Sequence, residues 1–185
     1  LTHQVLPHLP GVTVVEPKGA LLGDFEAERL EVALPRNGRL VWQRPTWQGM
    51  RLVVDRGAPW WLGVQLDHLG GRRIDLKWVP DPHAPPSDPP TDLSLPVSVT
   101  VGRVEWGELH GLTGGQPLRH LVAELRLGPM RHAVRLRSLV WADWTLSGEL
   151  GLGATGAMPL EADLQAQGRR EASASGDKLL AGAGE

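Results

Sequence analysis

The sequence has no cysteine, no tyrosine and a single phenylalanine. Without cysteine there is neither a disulfide framework nor a thiolate metal site. No apolar run approaches the ~20 residues of a membrane-spanning helix; the densest stretch is Ala58 to Val64. Charge of either sign is not in excess either: 19 Lys and Arg stand against 21 Asp and Glu, a net of -2. Nothing in that total points to nucleic acid or to an acidic partner. No signal peptide or targeting motif is present, and the first residue is Leu1 rather than Met. The sequence therefore reads as a piece of a longer protein whose targeting segment would lie upstream.

Catalytic patterns are missing as well. The histidines at 3, 8, 68, 83, 110, 120 and 132 show no HxH or HExxH spacing, and there is no GxSxG. The carboxylates are scattered through the polar positions of alternating segments, so no enzyme, cofactor or metal is expected. Gly151 to Gly156 matches GxGxxG, but that motif needs a helix starting inside it to meet a pyrophosphate. Here Ala157-Met158-Pro159 leads into an alternating segment, which makes a turn and a strand the expectation.

What the sequence does have is alternation. At 185 residues it is long enough for one sizeable domain. Apolar residues occupy every second position over most of it, the period of a sheet with one apolar face. In residues 11–79 that phase holds Leu30, Val32, Leu34, Leu52, Val54, Leu62, Val64, Leu66, Ile74, Leu76 and Trp78. In residues 93–167 it holds Leu95, Val97, Val99, Val101, Val134, Leu136, Leu146, Leu150, Leu152, Leu160 and Leu164. Between these parts, residues 80–92 carry six prolines in PDPHAPPSDPPTD, which no ladder or helix survives, so a loop is expected. Residues 1–10 are interrupted by Pro7 and Pro10 and predict a frayed segment. Residues 168–185 are poor in large apolar side chains and predict a flexible tail.

Face parity constrains the turns, because a one-residue slip moves a strand's apolar set to the other face. It predicts a three-residue loop at Arg36 to Gly38, pairing Leu34 with Leu40 and Val32 with Trp42. It likewise predicts a loop at Leu69-Gly70-Gly71, placing Gln65 opposite Asp75 and Asp67 opposite Arg73. Each loop ends in a left-handed Gly. A competing reading makes each such hairpin one kinked strand. A phase shift after Gly102 predicts a bulge, and Pro96 suggests a sheet edge near the start of its strand. Residues 117–128 suit both periods, with strand favoured by their surroundings. The arginines at 119, 126, 131, 135 and 137 fall in alternating sequence and predict a solvated strand face. The residues alone leave open whether the apolar face closes as a sandwich core or encloses a ligand.

Several stretches taken together carry a resemblance. These are GVTVVEPKGALLGDFEAERLEVAL, the Trp-rich RLVWQRPTWQGMRLVVD and APWWLGVQLDHLGGRRIDLKWV, the Pro-rich break, LPVSVTVGRVEWGEL, and LVWADWTLSGELGLGATGAMPLEADLQAQG. In this order they resemble the N-terminal periplasmic part of the translocation and assembly module subunit (TamB) family, which belongs to the AsmA-like, bridge-type proteins. The resemblance spans residues 11–167. It implies an all-β fold in which a long, curved, antiparallel-type sheet forms an open apolar gutter, a β-taco or repeating β-groove. It also implies that the alternating apolar residues line a groove for phospholipid acyl chains. The expected setting is the periplasm of a Gram-negative cell, with an inner-membrane helix upstream and a TamA-like outer-membrane barrel as partner through regions outside this chain. The implied roles are phospholipid transport between the two membranes and, alternatively, assembly and secretion of outer-membrane barrels such as autotransporters.

Overall fold

A computed structural model describes residues 11–34, 38–78, 92–112 and 115–168. The chain is all-β, and among the described residues there is no helix. The strands are β1 (Val12–Val15), β2 (Lys18–Gly19), β3 (Gly23–Glu26), β4 (Arg29–Leu34), β5 (Gly38–Gln43), β6 (Thr46–Val54), β7 (Leu62–Leu66), β8 (His68–Lys77), β9 (Ser98–His110), β10 (Leu118–Leu127), β11 (Arg131–Trp141), β12 (Trp144–Gly153) and β13 (Leu160–Gly168). All thirteen belong to one sheet. The segments expected to be frayed, Pro-rich or flexible at 1–10, 80–92 and 168–185 lie almost wholly outside the described residues.

Register shows that eight of these elements are halves of four longer strands. Leu34 pairs with Gly38, Arg29 with Gln43 and Glu26 with Thr46, so one register runs through β3 and β4 against β5 and β6. Arg39 with Lys77, Gln48 with His68 and Val54 with Leu62 do the same for β5 and β6 against β7 and β8. Val12 with Val32 and Lys18 with Glu26 lay β1 and β2 along β4 and β3. The long strands then follow one another across the sheet in sequence order.

These registers correct several expectations. Val32 pairs with Leu40 and Leu34 with Gly38, so β5 already begins at a residue expected in the loop. Parity fixes a register only to within two residues, so the apolar face was assigned while the turn was displaced. Gly38 starts a strand instead of ending the loop. No hairpin exists at Leu69 to Gly71, because β7 and β8 are one kinked strand, the competing reading. Gly70 and Gly71 lie inside β8 and lack positive φ. Nor is the sheet wholly antiparallel: Gly63 pairs with Ser98 and Asp75 with His110 in parallel ladders of β7 and β8 with β9. The intervening residues 78–97 are long enough to cross back, which parallel pairing requires. Strand β9 therefore lies inside the sheet, and it starts only after Pro96, which has no N–H to donate; Leu95 and Val97 precede the ladder. Residues 117–128 form strand, as their surroundings suggested.

The apolar face bends through aligned bulges. In successive strands the inward residue steps by three instead of two: Ala27 to Leu30, Trp42 to Pro45, Gly71 to Ile74, Trp106 to Leu109 and Leu118 to Leu121. The skipped positions hold polar, charged or glycine residues such as Glu28, Arg44, Arg72, Glu108 and Arg119. They lie in one row, since Gln43 pairs with Arg73, Arg73 with Glu108 and Glu108 with Arg119. Glu16, Arg44 and His120 adopt left-handed φ of 51°, 49° and 50° there. A second row runs through Gly49, Asp67 and Gly102, with steps from Trp47 to Met50, Leu66 to Leu69 and Val101 to Val104. The Asp67 N–H donates to the Gln48 carbonyl at 3.0 Å. The bulge expected at Gly102 is present: Ala123 pairs with Val104 and Leu125 with Val101, leaving Gly102 and Arg103 opposite Glu124. A bulge bends its strand and adds twist, so two aligned rows bend the sheet as a whole.

Candidate functional site

Paired residues share a face, so the ladders can be followed across strands as rows of side chains. One row runs Phe25, Trp47, Leu69, Val104, Ala123, Leu136, Gly148, Leu164. The next runs Leu66, Val101, Leu125, Val134, Leu150, Ala162. A third runs Leu52, Val64, Val99, Leu127, His132, Leu152, Leu160. Beyond the first bulge row, Val14, Leu30, Trp42, Ile74 and Leu109 form a fourth, and Val32, Leu40 and Leu76 a fifth. Each row crosses the strands at right angles, and His132 is the one titratable side chain within them.

The structure thus brings most of the predicted lining residues onto one face. Leu30, Val32, Leu34, Leu62, Val64, Leu66, Ile74, Leu76, Val99, Val101, Val134, Leu136, Leu146, Leu150 and Leu152 are buried or half-buried in these ladders. Leu52, Val54, Trp78, Leu160 and Leu164 are exposed, Val54 and Leu160 by 79% and 70%. Leu95 and Val97 lie in the half-buried segment entering β9. That segment is a strap: the Leu93 N–H donates to the Ala154 carbonyl at 2.7 Å, His132 Nε2 donates to the Leu93 carbonyl at 2.9 Å, and the Trp60 N–H donates to the Pro96 carbonyl at 3.2 Å.

The deepest part of the face was missed from sequence. Phe25, Trp47, Val104 and Ala123 form the buried cluster with Leu66, Val101 and Leu136, and Phe25 stacks on Trp47 at 4.0 Å. They sit beside the bulge rows, where the period of two breaks; the signal was the repeated step of three. Cover is uneven along the sheet. Side chains from β3 to β11 bury one another, whereas every residue of β13 is exposed.

The opposite face is charged and self-compensating. Arg137 pairs with Glu124 at 2.6 Å, Arg135 with Glu149 at 2.7 Å and Arg131 with Glu161 at 2.6 Å. The arginine-rich stretch is therefore a solvated, ion-paired strand face. A cleft of about 350 Å³ on this face is lined by Glu124, Arg126, Arg131, Arg135, Glu149 and Glu161 among others. Hydrogen bonds from Arg137 hold the Glu124 carboxyl below its ordinary value, Arg103 does so for Glu105, and His110 for Glu108. Asp55 is lowered too, by hydrogen bonds from the Ser98 side chain and then the Gly57 N–H, which tie the turn after β6 to the start of β9. Exposed pairs of this kind contribute little stability one by one. No protein-family model, curated protein or solved structure matches this chain.

Proposed function

We propose that this chain is a segment of a periplasmic conduit that shields phospholipid acyl chains in an apolar β-groove between the inner and outer membranes. One observation carries the reading. Rows of Leu, Val, Ile and Trp cross the strands with one polar interruption, and at β13 they run off the sheet uncovered. Burying an acyl chain contributes ~0.8 kcal/mol per CH₂, and a lining without specific polar partners lets the chain shift along a row at little cost. The charged face turns outward and keeps the segment soluble. Anchoring by an upstream helix and engagement of an outer-membrane barrel would involve regions outside this chain.

A photo-crosslinking side chain at Leu150 or Leu164, on the apolar rows, is expected to capture phospholipid in cells. The same side chain at Arg135 or Gln165, on the charged face, is expected to capture none. Equal capture from both faces, or none from the rows, overturns the proposal. A second reading, a scaffold for folding outer-membrane strands, is favoured by β13, which is last in the sheet among the described residues, runs nine residues without proline or lysine and turns the N–H and C=O of alternate residues away from β12. Crosslinks from Gln165 to a client barrel, with Leu150 silent, would select it.

A further inference from the structure

Two tryptophans inside the apolar face, like His132 on the same face, hold a buried side-chain nitrogen without a partner among the described residues. Trp42 on β5 and Trp106 on β9 meet edge to face, 6.0 Å apart at 83°. The strand between them, β8, carries Gly71 at that point, and Gly71 pairs with Trp106. A Cβ at Gly71 would collide with Trp42 Nε1, so the Trp42 indole occupies space that only glycine leaves free. Both Nε1 atoms are buried, and neither has an acceptor within hydrogen-bond reach among the described residues. Indole nitrogen is a donor only, and a buried donor without an acceptor is costly enough that each case calls for an explanation. By contrast Trp47 Nε1, in the same cluster, donates to the Leu21 carbonyl at 3.0 Å. Phenylalanine would give Trp42 and Trp106 their apolar packing without the unsatisfied donor.

Resting on the conduit reading, we propose that Trp42 and Trp106 form a hydrogen-bonding station for the acyl ester carbonyls of a diacyl lipid. Both residues are half-buried while their N–H groups are closed over, so part of each indole is exposed and a lipid carbonyl reaches the donors by displacing a ring edge. An ester carbonyl is a neutral acceptor carried at the head of each acyl chain, and it needs no counter-charge. That suits this place, since the ladder partners of Trp42 and Trp106 are Leu30, Ile74, Gly71 and Leu121, none of them charged, and the charged residues lie on the skipped, outward positions. The station would give a sliding lipid a preferred depth at the first bulge row.

The test compares short-chain diacyl phosphatidylcholine with its dialkyl ether analogue of equal chain length, titrated calorimetrically into the whole chain below micelle concentration. The ether analogue keeps headgroup and chains but lacks the carbonyls. The ester is expected to bind about fivefold more tightly, the worth of one net hydrogen bond. In W42F/W106F that preference is expected to vanish with ether affinity unchanged. Equal affinities in the unmodified chain overturn the station and leave the conduit intact, as does a preference that survives in the double variant. Binding of neither lipid overturns both readings.

Discussion

Glu31 is the one charged residue in the buried set among the described residues, 9% exposed, and it is held by Arg29 and Arg39 from its own strand and the next. Replacing it by Ala should cost about 1–2 kcal/mol, read as a lower urea midpoint, because two guanidinium groups lose their acceptor. Gly71 tests a different cause. Gly71→Ala should destabilise by about 1–3 kcal/mol through overpacking against Trp42. A change under about 0.5 kcal/mol would mean that the indole moves aside freely. The carboxylates set the pH response. Glu105, Glu108 and Glu124 are all lowered from the ordinary 4.5. Their contribution is therefore complete above that value and is lost as pH falls through their folded values. Urea midpoints should drop from pH 4.5 downward, and Arg137→Gln should flatten the drop by removing the main cause at Glu124. An equally steep profile in that variant would refute the assignment.

At the scale of elements, the bulges are the feature on which the rest depends. Deleting Gly102 would keep β9 straight and put either Val99 and Val101 or Val104 and Trp106 on the charged face. The loss should be about 3–6 kcal/mol, the burial of two such side chains, seen as an early or uncooperative thermal transition by far-UV dichroism. Gly102→Ala should cost less, since it keeps the bulge and asks the Asp67 carbonyl, 3.2 Å from the added Cβ, to give by only a few tenths of an ångström. This bulge was legible in sequence because Leu95 to Val101 and Val104 to Trp106 are both clean alternations out of phase. The bulges at Gly49 and Asp67 were not legible, because each falls between short apolar segments that also fit a turn. The same ambiguity made β7 and β8 look like a hairpin: Gly70-Gly71 is a strong turn signal locally, yet β6 on one side and β9 on the other satisfy the backbone on both edges of the kinked strand.

Among the described residues, the apolar face is buried from β3 to β11 and exposed at β13. Leu136→Ala, in the buried cluster, should cost about 2–5 kcal/mol. Leu164→Lys, on the same row but 48% exposed, should change stability by no more than about 0.5 kcal/mol while reducing phospholipid capture. If both variants lose stability alike, β13 is part of the core and the open-face argument fails. The all-β class, the apolar phase of nearly every strand and the solvated arginine face were determined by the sequence itself, because side-chain alternation is a local consequence of extended backbone. Which strand lies beside which was decided only by the tertiary structure. An apolar phase matches any other apolar phase of equal parity, so the sequence permits many registers and both directions of pairing. The parallel return of β9 onto β7 and β8, and the alignment of single bulges into rows that bend the sheet, arise from long-range packing that no one strand encodes.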